Sequence, residues 1–285
     1  MTLQTLDDAL TLTADAEGVL HAVLTGDFSN GQISAPPENG FPFGGLLAAL
    51  AARAMRQRLG LAAPLRSLSI QYLAAPSYDA PVAFVPRLLR GGRTIAYTAL
   101  ELRQGDRLTH HAQATWGADD DNGVTIPALI APPPPLDSLD PRRTLSGPLA
   151  PRFSQHVDYR FETGPNLLRG KPGPEAIERL WMRTKDGAPL DELRLCYLMD
   201  ALYPPAWTAA TTPLRMATVD LRYDILADPT PETAPDGWAF FEFKMLDLGR
   251  GWTVDDLTVW GVDGKPLAIG RQRRKASPTR AAGQG

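Results

Sequence analysis

Three polar residues in the second half of the chain stand where polar groups are costly. Asp200 lies in LRLCYLMDALYPP, flanked by Leu198, Met199, Ala201 and Leu202. No Lys or Arg stands three or four positions away to pair with it along a helix. It falls in the last expected turn, where the macrodipole disfavours a carboxylate. Burial and that dipole both push a carboxyl pKa upward. The alternative is a solvated or capping aspartate at a frayed helix end. Thr218 sits in MATVDLRY, where strand alternation puts Met216, Thr218, Asp220 and Arg222 on one face. A β-forming threonine needs no further reason there. Gln272 alternates with Ala268 and Gly270 on the final strand, and such small neighbours leave room for a close approach. Its amide, with two donors and an acceptor, suits holding a water molecule, although a surface glutamine explains it equally. Finally, PPENGFPFGG opens a helix with Gly44 and Gly45. Backbone N–H groups left bare at that positive end are able to polarise a carbonyl oxygen. Close packing against a sheet accounts for the same glycines.

Other chemistries lack their residues. There is no Walker A sequence, no paired CxxC, no HExxH and no GxSxG. His21, His110, His111 and His156 show no metal-ligand spacing, and His110 and His111 point to opposite faces of a strand. Cys196, the single cysteine, lies inside an apolar helix and reads as core. It also excludes an intrachain disulfide. A net charge of −3 gives no reason to expect nucleic acid or an anionic membrane as partner. No apolar run reaches bilayer length and the amino terminus lacks a basic n-region, so the expectation is a cytoplasmic protein.

The elements that must position these residues occur twice. Thr94 to Trp116 and Thr253 to Arg274 both read as strand, Gly turn, strand. Aligned without gaps, Gly105 meets Gly264, Leu108 meets Leu267 and Gln113 meets Gln272. Each copy follows a helix and a strand in the same order. The first helix is expected over Phe43 to Leu59, from Leu46, Leu47, Leu50, Ala51, Ala54 and Met55 at helical spacing. The second is expected from about Leu190 to Tyr203, stopped by Pro204-Pro205. The stretch 121–150, with prolines at 132–135, reads as a linker. The division is therefore 1–120, a Pro-rich linker at 121–150, a second unit at 151–276 and a disordered tail at 277–285. The expected fold class is α+β, a double hotdog: two tandem units, each an antiparallel sheet wrapped around a long helix.

With those elements in place, the chain resembles the double-hotdog acyl-CoA thioesterases, the acyl-CoA thioesterase II family. The resemblance runs from about residue 20 to 276. It rests on NGFPFGGLLAALAARAM, WMRTKDGAPLDELRLCYLMDALYPP, MATVDLRYDIL and GKPLAIGRQRR. Relatives of this kind use a helical aspartate, a strand threonine or serine and a last-strand glutamine to activate water. The resemblance assigns these roles to Asp200, Thr218 and Gln272. It implies hydrolysis of acyl-CoA without a metal or redox cofactor, with Gly44 and Gly45 meeting the oxyanion. Arg271, Arg273 or Lys275 would meet CoA phosphates, and a homodimer or higher oligomer is expected. The strand after Thr218 departs from the relatives' His or aromatic pattern, and Arg222 and Asp224 there are expected to reshape the acyl pocket. Two other classes remain open: a hotdog hydratase or dehydratase, which needs an acid–histidine arrangement, and a non-catalytic acyl- or ligand-binding protein.

Overall fold

The computed structural model describes residues 3–120, 132–167, 176–211 and 214–278. The first unit contains α1 (Leu6–Ala9), β1 (Thr13–Ala14), β2 (Leu20–Val23), α2 (Gly44–Leu59), β3 (Leu65–Tyr72), β4 (Pro81–Gly91), β5 (Ile95–Gln104) and β6 (Arg107–Gly117). The second contains β7 (Val157–Phe161), β8 (Ile177–Thr184), α3 (Glu192–Leu198), α4 (Ala206–Ala209), β9 (Leu214–Ile225), β10 (Ala239–Gly249), β11 (Trp252–Trp260) and β12 (Pro266–Pro278). The strands form one sheet in the order β1-β2-β4-β5-β6-β3-β9-β12-β11-β10-β8-β7. That order reads alike outward from the β3–β9 seam, where Ser67 to Gln71 pair antiparallel with Asp224 to Asp220. The fold is the expected double hotdog.

From Gly45 to Ala52 helix α2 is apolar and buried on every side. Ala48, Ala49, Leu50, Ala51, Ala52, Ala54 and Met55 are all fully buried, as a helix enclosed by its sheet requires. The small alanines let strands approach closely. Gly60 ends it in the left-handed conformation, with its N–H on Arg56 O. Helix α3 is shorter than expected. Asp191 caps it by accepting the Arg194 N–H at 2.7 Å. It ends at Leu198, and Ala201 N–H bonds Leu198 O in a tightened last turn. The chain must leave the helix before Pro204, because the residue before a proline disfavours the α region. The helices meet at their ends: Gly45 packs on Tyr197, while Arg56 and Glu192 form a two-bond ion pair at 2.6 and 2.7 Å.

The repeat is real in topology but not in the gapless alignment. Gln113 is exposed, whereas Gln272 is 7% exposed and faces the core. Each hairpin carries a bulge near its turn, with Thr109 the extra residue in β6 and Leu267 the extra residue in β12. Anchored there, Thr98 opposite Ala114 corresponds to Asp255 opposite Gln272. Ala96 opposite Trp116 likewise corresponds to Thr253 opposite Arg274. The turns differ in length, so a gapless alignment slips the register and exchanges faces.

Of the segment 121–150, residues 132–150 are described and they are packed rather than free. Trp181 Nε1 donates to Pro134 O at 3.0 Å, and Ile33 N–H bonds Ala150 O at 2.9 Å. Ser277 and Pro278 belong to β12; the rest of the tail, 279–285, lies outside the described residues.

Candidate active site

Asp200, Thr218 and Gln272 come together from three elements. Gln272 Nε2 donates to Asp200 Oδ1 at 2.9 Å and to Thr218 Oγ1 at 2.6 Å. Asp200 sits in the turn after α3, and Gln272 faces inward from β12. Thr218 joins them because of a bulge. Arg273 pairs with Asp220 but Arg274 pairs with Thr218, so Val219 is an extra residue in β9. The bulge exchanges faces along the strand. Thr218 and Met216 point inward while Asp220 and Arg222 lie on the outer face, correcting the single face expected from simple alternation. Arg222 and Asp224 pair with each other there at 2.7 Å.

Two residues the sequence reading passed over complete the arrangement. The Arg274 guanidinium donates to Gln272 Oε1 and pairs with Asp255 of β11. Asp255 also accepts from Thr253 Oγ1 at 3.2 Å. These contacts settle the amide orientation, which in general has to be read from the hydrogen-bond network. With its N and O exchanged, Gln272 would turn an acceptor on the Asp200 carboxylate and donors on a guanidinium. Both N–H groups of Gln272 are therefore used, one on Asp200 and one on Thr218. Thr218 Oγ1 accepts from Gln272, which leaves its own hydroxyl proton free to donate. The signal in the sequence was strand parity: Arg274 shares the inward face with Gln272, two residues away.

Helix α2 starts against this group. A Cβ on Gly44 would lie 2.7 Å from Asp200 Oδ2, and one on Gly45 would lie 2.5 Å from Tyr197 O. The Gly45 backbone N–H stabilises the Asp200 carboxylate, so this glycine serves the aspartate directly. Tyr72 Oη donates to Gly44 O at 2.9 Å. Burial raises the Asp200 carboxyl to about 6, against the opposing pull of the Arg274 charge, the Gln272 hydrogen bond and the Gly45 N–H. Tyr72 and Tyr223 are held well above the usual phenol range, first by burial and then by the Asp200 charge. Tyr223 Oη is buried without a protein hydrogen-bond partner. A narrow gap of about 10 Å3, room for roughly one water, lies beside Gln272 and Arg274, with Met199, Leu221, Tyr223, Phe243 and Leu257 on its walls.

Arg271 is not brought here. It faces the outer side of β12 and is bound by Asp256 at 2.6 and 2.9 Å. The histidines stay apart from Asp200 too. His110 packs edge-on against the Tyr72 ring at 4.9 Å and burial lowers it to about 4. His156 stacks on Phe28, and His21 pairs with Asp15 at 2.8 Å. Among the described residues no cluster of three or more His, Cys, Asp or Glu side chains is set to hold a metal. None of their helices is long and apolar enough to cross a membrane.

Known proteins resemble this chain in family and in fold. Residues 34–117 match the acyl-CoA thioesterase N-terminal domain and residues 130–273 the acyl-CoA thioesterase C-terminal domain. A conserved hot dog fold protein of unknown function from Alicyclobacillus acidocaldarius superposes with a TM-score of 0.83 at 22% identity, covering 96% of this chain and 98% of that one. An acyl-CoA thioesterase II from Mycobacterium marinum gives 0.73 at 17% identity, over 96% and 99% of the two chains. The dehydratase domain of RzxB from Pseudomonas fluorescens gives 0.55 at 14%, over 96% and 100%. At these identities the likeness is one of fold. No functionally curated protein matches the chain.

Proposed function

From the acyl-CoA thioesterase family, to which this chain belongs, we propose that the Asp200 site hydrolyses acyl-CoA thioesters to the free acid and CoA. The observation that carries the reading is Gln272 Nε2, which ties Asp200 to Thr218 in one hydrogen-bonded group beside the start of α2.

The chemistry follows from the atoms. Asp200 takes a proton from a water held between its carboxylate and the Thr218 hydroxyl. The resulting oxygen attacks the thioester carbonyl carbon. The negative charge moves to the carbonyl oxygen, where the Gly44 N–H and the positive end of α2 are our candidates to meet it. When the tetrahedral centre collapses, the C–S bond breaks and the departing thiolate recovers the proton from Asp200. A carboxyl near 6 suits both halves of that transfer close to neutral pH.

The test is a thiol-release assay on acyl-CoA esters from acetyl to palmitoyl, with aryl examples, on wild type and Asp200→Ala. Hydrolysis that disappears in a folded Asp200→Ala protein supports the assignment. Activity retained within a few-fold in that variant would sink it.

A further inference from the structure

We infer that the buried Arg274–Asp255 pair is a positioning device for this site: it fixes the amide of Gln272 and sets a positive charge beside Asp200. The inference rests on the hydrolytic reading of the site.

The two side chains are only 6% and 5% exposed. Burying a pair of charges brings a large desolvation penalty that a neutral, well-packed pair avoids. The first unit shows that this hairpin position tolerates the neutral solution. There, the counterparts of Arg274 and Asp255 are Trp116 and Thr98, and Trp116 Nε1 donates to Thr98 Oγ1 at 3.0 Å. The fold therefore does not demand charge at this place. What distinguishes the second hairpin is the residue between them: Gln272, where the first unit has the featureless Ala114. Arg274 reaches that glutamine and donates to its Oε1.

The charge of the same guanidinium favours the ionised form of the Asp200 carboxylate. The groups coupled to Asp200 are Arg274 from β12, Gln272 beside it, the Gly45 N–H from α2, Tyr72 from β3, Tyr223 from β9 and Tyr197 from α3. Among these described groups Arg274 is the cation. It stays protonated at neutral pH although burial lowers it to about 10. Asp255 in turn keeps the guanidinium from swinging onto Asp200 as a direct ion pair, which would take the base out of use.

The experiment compares Arg274→Gln, Arg274→Lys and the double variant Asp255→Asn/Arg274→Gln with wild type. The double variant guards against misfolding, because it strands neither charge. Two quantities are read: the 13C-carboxyl NMR titration of Asp200, assigned with Asp200→Asn, and kcat/KM against pH on the ester panel. In Arg274→Gln the Asp200 titration moves up by about one pH unit, since an adjacent cation favours the carboxylate. The double variant moves in the same direction. In Arg274→Lys it stays near the wild-type position. The rate in Arg274→Gln falls about 10- to 100-fold, the usual loss when a partner that orients an active group is removed, and lysine recovers part of it. An Asp200 titration unmoved in folded Arg274→Gln and in the double variant overturns the inference. So does a rate loss in Arg274→Lys equal to that in Arg274→Gln. The titration requires no turnover, so a wild type that cleaves no ester defeats the hydrolase reading separately.

Discussion

Gly44 and Asp200 meet across the two units with no room between them: a Cβ on Gly44 would sit 2.7 Å from Asp200 Oδ2 and 3.1 Å from Tyr72 Oη. The atoms in its way are side-chain tips. Gly44→Ala therefore shifts the carboxylate rather than the helix, and is expected to lower kcat at least about tenfold, a loss of roughly 1.4 kcal/mol in the barrier, with little change in Tm. Gly45→Ala meets the Tyr197 carbonyl at 2.5 Å instead. It is expected to lower Tm first. Thermal melts beside steady-state rates separate the two; a Gly44→Ala enzyme of wild-type rate removes the close approach from the account.

Asp200→Asn should trade activity for stability. The carboxyl lies at about 6 in the folded protein against 3.8 ordinarily. The folded state thus holds this proton more tightly, and the contribution to stability, full below 3.8, is lost as pH rises through 6. At pH 8 the ionised group costs on the order of 1–3 kcal/mol, discounted for its partial exposure. The asparagine variant should melt about 2–6 °C higher there, and the gain should shrink toward pH 4. Its kcat should fall by about 100- to 10,000-fold. A calorimetric series over pH shows whether the gain follows the expected direction.

Rate against pH gives a third check. Asp200 must be ionised to accept a proton, so kcat/KM should rise through about 6 and then level off. Tyr72 and Tyr223 remain neutral across this range because burial holds them up. A bell with a second limb near 7 would call for another titrating group.

Thr218 accepts from Gln272, so the proposal needs only its hydroxyl. Thr218→Ser is expected within a few-fold of wild type, and Thr218→Ala about tenfold or more below it, near the value of a lost hydrogen bond to a charged or reacting group. Equal rates for serine and alanine would dismiss the hydroxyl.

Cys196 is fully buried, and its thiol is pushed well above the ordinary range by burial. Native protein should therefore leave a disulfide reagent untouched, and denatured protein should consume one equivalent. Colour in a thiol-release assay then comes from CoA alone.

Asp200 was legible because a lone carboxylate in an apolar helix violates the local pattern, and the two-unit order was legible because each element carries its own periodicity. What stayed hidden is what depends on register. The bulge at Val219 adds one residue to β9 and changes no hydrophobic pattern, so the company of Thr218 was misjudged. In the run Arg271 to Arg274 every residue is polar, and composition does not say which faces inward. Only the pairing with β11 and β9 places Gln272 and Arg274 inside and Arg271 outside. The short α3 was missed for a similar reason: apolar residues continue beyond Leu198, but the backbone has already left the helix.

The two ends of the helix pair are no longer twins. At one, Gly44 faces Asp200; at the other, Arg56 and Glu192 lock together, with the Arg56 guanidinium 4.8 Å from the centre of the Trp116 ring. In an assembly of two identical chains every substitution is made twice, and an ion pair that steadies one end would block the other. Joining both units in a single polypeptide removes that constraint. One end is free to be a clamp while the other keeps a half-buried carboxylate of raised pKa, so the two ends are tuned by separate mutations in the same gene.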